Sequence, residues 1–122
     1  MAKNEIVIVS VPVADQARAK AFYLEKLGFS LVMESKDAMG PDRSWIMLKP
    51  AGGGTAITLV NWFDTMPAGS LRGLVIGVAD LETEHALLRD AGVDIDEIKS
   101  QPWGRFATLR DSEGNGIVLQ KR

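Results

Sequence analysis

Residues 13–15 read Val-Ala-Asp, and residues 78–80 read the same, 65 positions further along the chain. In both places an apolar stretch precedes the tripeptide and a stretch with helical spacing follows it. The first helical stretch ends at Gly28 and the second at Gly92, 64 residues later. A repeat of this length is too long for a solenoid unit, and two copies are too few for an array. The sequence therefore predicts a duplicated domain, with function expected where its halves face each other.

The composition is that of one ordinary globular domain. The 122 residues are 46% hydrophobic and 25% charged, which excludes the disordered and fibrous classes. The net charge of −2 is spread along the chain, so nothing indicates a nucleic-acid or membrane-surface partner. Cysteine is absent, and no apolar run approaches the roughly 20 residues of a membrane helix. We expect a cytoplasmic protein without nucleic-acid or membrane partners.

The order of elements in each half is predicted as βαβββ. In the first module, residues 4–61, a valine-rich strand over 5–13 leads to Asp15, a good helix N-cap, and Gly28 provides the helix stop. Further strands are expected over 29–37, 44–49 and 55–61. Residues 62–70 are read as a linker because periodicity is lost there and Pro67 and Gly69 occur in it. The second module, residues 71–122, repeats the order, with strands over 71–78, 94–99, 105–110 and 117–120 and a helix capped by Asp80.

Four stretches resemble a known family. They are Val-Pro-Val-Ala-Asp-Gln at 11–16, Ala-Phe-Tyr-Leu-Glu-Lys-Leu-Gly-Phe at 21–29, Pro-Trp-Gly-Arg at 102–105 and Asp-Ser-Glu-Gly-Asn-Gly-Ile at 111–117. Together they resemble the vicinal oxygen chelate superfamily, which includes glyoxalases, extradiol dioxygenases, fosfomycin-modifying enzymes and bleomycin-binding resistance proteins. The resemblance implies an α+β fold in which two βαβββ modules form a curved, cup-shaped sheet with helices outside. It also implies a homodimer whose cups are completed across the interface, and it leaves open several chemistries and non-enzymatic binding.

In the metal-dependent members of that superfamily, ligands project into the cup from the first and last strand of each module. The first-strand positions, counted seven residues back from each aspartate, are Ile8 and Gly73, and the matching last-strand positions are Thr58 and Val118. A divalent catalytic site needs about three His, Asp, Glu or Cys donors, so these residues predict no metal and no cofactor. The alternative is a metal-dependent glyoxalase or dioxygenase with non-standard ligands, drawn from the second-strand acids whose facing the sequence leaves open. These acids are Glu34, Asp37, Asp94, Asp96 and Glu97.

Strand alternation then assigns a lining to the cup. The positions facing it are Ile8, Ser10, Trp45, Met47, Thr58, Val60, Gly73, Val75, Phe106, Thr108, Val118 and Gln120. The opposite set packs under the helices: Ile46, Leu48, Ile57, Leu59, Leu74, Ile76, Ala107, Leu109, Ile117 and Leu119. An apolar, aromatic lining suits a hydrophobic or planar ligand better than acid-base chemistry. The same large side chains would instead fill a closed cup, and the protein would then be an interaction module without a small ligand.

Three further residues are candidates for the rim of the cup. Trp103 and Arg105 lie in the segment that enters the penultimate strand, where Arg105 could hold an anionic group or stay a surface arginine. Trp62 opens the linker without a periodic partner and would cover the cup or meet a second subunit. His85, the sole histidine, falls on the second helix and is expected at the border of core and solvent. The sequence thus predicts a metal-free, homodimeric protein that binds a hydrophobic or aromatic small molecule.

Overall fold

The computed structural model describes residues 2–122, and in that part of the chain it contains two helices and nine strands. The helices are α1 (Gln16–Glu25) and α2 (Leu81–Asp90). The strands are β1 (Ile8–Pro12), β2 (Ser30–Ser35), β3 (Trp45–Lys49), β4 (Ala56–Val60), β5 (Leu74–Val78), β6 (Asp94–Ile95), β7 (Lys99–Gln101), β8 (Gly104–Arg110) and β9 (Gly116–Lys121). The α+β fold implied by the family resemblance is confirmed.

Each module forms its own mixed sheet. The strand order is β1-β4-β3-β2 in the first sheet and β5-β9-β8-β6 in the second, where β7 also pairs with β8. The first and last strands of each module run parallel, and the other pairings are antiparallel. Ser10 lies opposite Thr58, and Val75 lies opposite Val118. In both modules the last-strand position that matches a metal ligand lies opposite the residue two places after the first-strand position. The duplication therefore extends to strand register.

The two helices begin and end at the expected signals. The Asp15 side chain accepts a hydrogen bond from the Arg18 N–H, and the Asp80 side chain accepts one from the Thr83 N–H, which satisfies a donor left free at each helix start. Gly28 and Gly92 follow the helices with φ of 70° and 84°, a region that an L side chain rarely adopts.

The second strand of the second module differs from its prediction. A continuous strand over 94–99 was expected, but β6 and β7 are separate pieces that both pair with β8. Between them Ile98 packs against the core, and the Asp96 carbonyl oxygen lies 2.7 Å from His85 Nε2. His85 is correspondingly buried and does not lie at the solvent border. The contact with α2 therefore accompanies the break in the ladder, although the Asp96 N–H still donates to the Thr108 carbonyl oxygen of β8 at 2.8 Å.

The two faces of each sheet are distinct. One face packs against the helices, and we call the other the open face. The predicted helix-facing set is confirmed: Ile46, Leu48, Ile57, Leu59, Ala107, Leu109, Ile117 and Leu119 are buried, and Leu74 and Ile76 pack against the same cluster. This core runs through both modules, and each helix packs on the sheet of its own module. Neither helix in the described chain is long and apolar enough to cross a membrane.

The β8–β9 loop of the second module reaches into the first. Asp111 accepts a hydrogen bond of 2.7 Å from the Tyr23 hydroxyl on α1 and one of 2.9 Å from Asn115 Nδ2. Asn115 Nδ2 also donates to the Pro12 carbonyl, and Asn115 Oδ1 accepts from the Leu71 N–H. All three polar side chains are buried. Burial, followed by the Asp111 charge, raises the pKa of Tyr23, so its hydroxyl remains a donor.

Glu113 completes this inter-module contact at the start of α1. Its carboxylate accepts from the Ala14 and Asp15 N–H groups at 3.0 and 2.9 Å and from Arg18 at 2.8 and 2.9 Å. Burial alone would raise the pKa of Glu113, but these donors and the Ser112 hydroxyl hold the pKa at about 2. The stretch that carries the family resemblance therefore joins the modules, which fixes the relation between their two open faces.

Candidate functional site

The open face of the first module is partly covered by its own side chains. Thr58 lies between Ser10 and Met47 in the register, and only 1% of it is exposed. Val60, two residues on, is buried as well. Ser10 and Met47 are half-buried. Thr58 was predicted to contact a ligand, and it is buried in this structure; Ser10 and Met47 are the more accessible positions around it.

An aromatic cluster lies at one end of this open face. Trp45, at the start of β3, stacks against Trp62 with ring centroids 6.4 Å apart and planes at 30°. Phe63 continues the cluster, 5.8 Å from Trp62. The Trp45 Nε1–H is buried and has no hydrogen-bond partner among residues 2–122. A buried donor without an acceptor costs about 1–3 kcal/mol, so this end of the face is incompletely satisfied.

The open face of the second module carries the matching aromatic pair. Trp103, 62% exposed, stacks on Phe106 with centroids 4.9 Å apart and planes at 18°. Met47 lies opposite Thr58, and Thr108 lies opposite the equivalent residue Val118. Phe106, two residues before Thr108, is therefore the counterpart of Trp45, two residues before Met47. The rest of this face consists of half-buried or exposed small, apolar and amide side chains: Val75, Thr108, Val118 and Gln120. Each module thus presents a stacked aromatic pair at an equivalent position.

A charged group that the sequence reasoning missed lies at the other end of this face. Arg110 pairs with Asp94 in the strand register and donates to both oxygens of Asp94 and of Asp96, at 2.7 to 3.2 Å. Hydrogen bonds from Arg110 lower the pKa of both aspartates. Alternation from Phe106 and Thr108 places Arg110 on the open face, so the signal was present. The group therefore carries one positive and two negative charges, a net charge of −1.

Arg105 is not on the open face. Burial alternates along β8, which places Arg105 on the same side of the sheet as the buried Ala107 and Leu109. The Arg105 guanidinium forms an ion pair with Glu82 in the first turn of α2. The structure therefore places this predicted ligand contact on the helix side, where Glu82 already engages its charge. The prediction of an anion anchor at the rim receives no support from this geometry.

The four positions that match metal ligands do not fit a metal. Ile8 and Val118 present hydrocarbon, and Gly73 lies just before β5 with φ of 81° and no side chain to donate. The fourth, Thr58, has a buried hydroxyl. Across residues 2–122 no three His, Asp or Glu side chains converge as a metal site would require. The donor set at these positions therefore supports no chemical step through a metal.

The second-strand acids are exposed but scattered. Glu34 faces α1, with Lys20 Nζ 2.6 Å from its carboxylate, because a bulge in β2 shifts the register after Leu31. Asp37 lies in the following turn with φ of 56°. Asp94 and Asp96 bind Arg110 as described, and Glu97 is 3.6 Å from Arg89. The alternative set of metal ligands is thus distributed over different faces.

The sequence profile of the Glyoxalase/Bleomycin resistance protein/Dioxygenase superfamily matches residues 5–119. TnmS3, described as an antibiotic binding protein from Streptomyces sp. CB03234, is 42% identical, with a TM-score of 0.92 over 99% of this chain and 98% of that one. A glyoxalase/bleomycin resistance protein from the same organism is 43% identical, with a TM-score of 0.84 over 94% and 98%. The uncharacterized protein YetH of Bacillus subtilis (strain 168) is 31% identical over 97% of this chain and 98% of its own length. By sequence and by fold, the chain belongs to the Glyoxalase/Bleomycin resistance protein/Dioxygenase superfamily.

Proposed function

We propose that this protein binds a planar, largely apolar small molecule, without a metal, between open faces that carry stacked aromatic side chains. The observation that carries the proposal is the pair of equivalent aromatic stacks, Trp45 with Trp62 and Phe106 with Trp103. Aromatic surfaces contribute both apolar area and ring stacking to a planar ligand. The description of the similar TnmS3 as an antibiotic binding protein supports a small-molecule ligand of this kind.

The polar groups of the open faces suit recognition better than turnover. Ser10, Thr108 and Gln120 are neutral donors and acceptors beside the aromatic stacks. The charged group, Arg110 with its two aspartates, is engaged internally. A general base has to be free and within reach of the proton it removes, and His85 is buried on the helix side with its Nε2 bound to a carbonyl oxygen. The enzyme alternative therefore lacks an evident acid-base pair on these faces.

The open faces also support a homodimer. Large apolar side chains remain exposed on them, including Met33 at 51% and Val75 at 52%. Met33 lies opposite Met47, and Val75 opposite Val118, so both belong to the proposed binding faces. Exposed apolar surface of this kind marks interaction sites. We expect a second copy to cover part of it and to close the site over the ligand.

Binding is tested with acridone, a neutral, planar and fluorescent aromatic probe, and with bleomycin as an antibiotic. Titration followed by fluorescence should give saturable binding of at least one compound at one molecule per pair of facing modules. Trp45→Ala or Trp103→Ala should each weaken binding by about 2–3 kcal/mol, on the order of 30- to 150-fold. Leu87→Ala is the matched control, because Leu87 is exposed on α2 and away from both faces; it should leave the affinity unchanged.

Three outcomes would count against the proposal. The tryptophan variants could bind as the control does, which would place the ligand elsewhere. Light scattering could show a monomer at concentrations where binding saturates, which would contradict a site closed by a second copy. Elemental analysis could find one tightly held divalent ion per chain, with binding or turnover lost on chelation, which would favour the enzyme alternative.

A further inference from the structure

A groove of about 540 Å³ lies on the helix side of the first module, away from the open faces. It runs between α1 and the segment from the end of β2 to the start of β3, and we call it the outer groove. Its apolar floor consists of Ala17, Ala21, Leu24 and Ile46. The groove exists because α1 packs on β3 and β4 and leaves β2, which is exposed throughout, uncovered.

The second module fills the corresponding space. Shifting Ala17 by the repeat of 65 residues gives Glu82, and the register equivalence of Phe106 with Trp45 makes Arg105 the counterpart of Ser44. Glu82 and Arg105 form an ion pair that spans α2 and β8. Beside it His85 is buried, and β6, the first piece of the broken second strand, packs against α2. One copy of the module has thus closed this gap with side chains, whereas the other keeps small residues there.

The base of the outer groove is held in place by one side chain. Gln16 donates to the Ser44 and Leu59 carbonyl oxygens, both at 2.8 Å, and accepts from the Ser44 N–H at 3.0 Å. Both the N–H₂ group and the oxygen of the Gln16 amide thus have backbone partners. The junction of α1 with β3 is therefore fixed, so the groove is a formed feature of the fold.

The charge around the outer groove is negative. Two lysines and four acids line it, a net charge of −2. Lys20 is paired with Glu34, which leaves Glu25, Asp37 and Asp42 against a single further lysine. A ligand with a positive group at one end and an apolar part would place that group near the acids and its apolar part on the alanine floor. Such complementarity selects sign and orientation more strongly than it raises affinity.

We propose that the outer groove is a second binding site, separate from the open faces, for organic ammonium ions that carry an apolar ring or chain. The proposal does not depend on the ligand of the open faces. Its volume is within the range of small-molecule sites, which is about 300–1,000 Å³. Because the groove is open to solvent, a small ammonium compound should bind with a Kd on the order of a millimolar.

The test uses 2-phenylethylammonium, the neutral 2-phenylethanol and the anionic 3-phenylpropionate as probes of similar shape. Each is titrated into ¹⁵N-labelled full-length protein, and amide shifts are followed by NMR. The ammonium compound should shift amides of residues 16–25 and 34–46 saturably. The neutral probe should bind about three- to fivefold more weakly, and the anion more weakly still. Added salt should reduce the advantage of the cation.

Two sets of variants separate the apolar and the electrostatic contributions. Ala21→Trp should fill the groove and abolish these shifts, whereas Ala86→Trp, at the equivalent exposed position of α2, should leave them intact. Asp37→Asn with Asp42→Asn should bring the ammonium compound to the affinity of the neutral probe. Asparagine tolerates the φ values of 56° and 60° found at these two positions. At position 37, the asparagine Oδ1 can still accept the hydrogen bond from the backbone N–H of residue 42.

The proposal is overturned by any of three results. Equal affinity for all three probes would show that charge plays no part. Shifts confined to the open faces would show a single site, and they would leave the proposal for those faces standing. Unchanged shifts in Ala21→Trp would show that the groove is not where the probe binds.

Discussion

Glu113→Gln should weaken the contact between the two modules, because it removes the charge of the side chain and keeps its shape. The Glu113 side chain is fully buried, and in the folded protein its pKa is about 2 instead of the ordinary 4.5. Since the folded pKa lies below the unfolded one, the ionised carboxylate stabilises the fold above about pH 4.5, and this contribution is lost as the pH falls towards 2. The difference corresponds to about 3 kcal/mol. Glutamine would also turn an N–H₂ group towards Arg18, so we expect a loss of about 2–3 kcal/mol at pH 7.

The measurement is urea unfolding at fixed protein concentration, followed by tryptophan fluorescence between pH 7 and pH 3. The gap between wild type and Glu113→Gln should be full at pH 7 and should narrow below pH 4.5. Glu82→Gln is the matched control, because Glu82 also pairs with an arginine at a helix start but is half exposed; it should cost less than about 1 kcal/mol. A Glu113 gap below 1 kcal/mol at pH 7, or one that stays constant down to pH 3, would refute the reasoning.

Two further substitutions probe the same contact between the modules. Tyr23→Phe removes the hydrogen bond to the Asp111 carboxylate and should lower the free energy of unfolding by about 1.5–3 kcal/mol in the same urea assay; a loss under 0.5 kcal/mol would contradict this. Gly69→Ala should cost more than Gly28→Ala, although both glycines have positive φ, because a Cβ at 69 would collide with the Glu113 carbonyl oxygen and one at 28 would meet nothing. Equal melting temperatures of the two alanine variants would show that the close approach is not maintained in solution.

Local signals in the sequence were sufficient for the architecture of this chain. The two aspartate caps, the glycine stops and the alternation of Ile46 and Leu48 depend on residues a few positions apart. Such short-range rules apply twice in a duplicated chain, and agreement between the copies strengthens each prediction. For the same reason the open faces could be assigned, since register follows once the buried face is known.

Features that depend on distant partners were not predictable in this way. The break between β6 and β7 is associated with His85 and Ile98, and nothing near residue 96 indicates it. Arg105 was expected at the rim because only its position in the chain was known, whereas its partner Glu82 lies 23 residues earlier. The role of Glu113 was also invisible, because its partners lie about 98 residues away. Sequence alternation places a side chain on a face, but it does not identify the residue that will neutralise its charge.

The comparison of the two modules gives the strongest reason for the proposal that a ligand binds on the open faces. The positions that match the superfamily's metal ligands carry no His, Asp or Glu in either copy, with Ile8 matched by Gly73 and Thr58 by Val118. Elsewhere the copies diverged freely, as the outer groove shows. On the open faces, however, both copies keep an aromatic residue at one equivalent position, and each stacks on a tryptophan from a different loop. Two different loops therefore supply a tryptophan to the same kind of surface. Core packing alone does not explain this arrangement, because it would not leave Trp103 exposed to solvent.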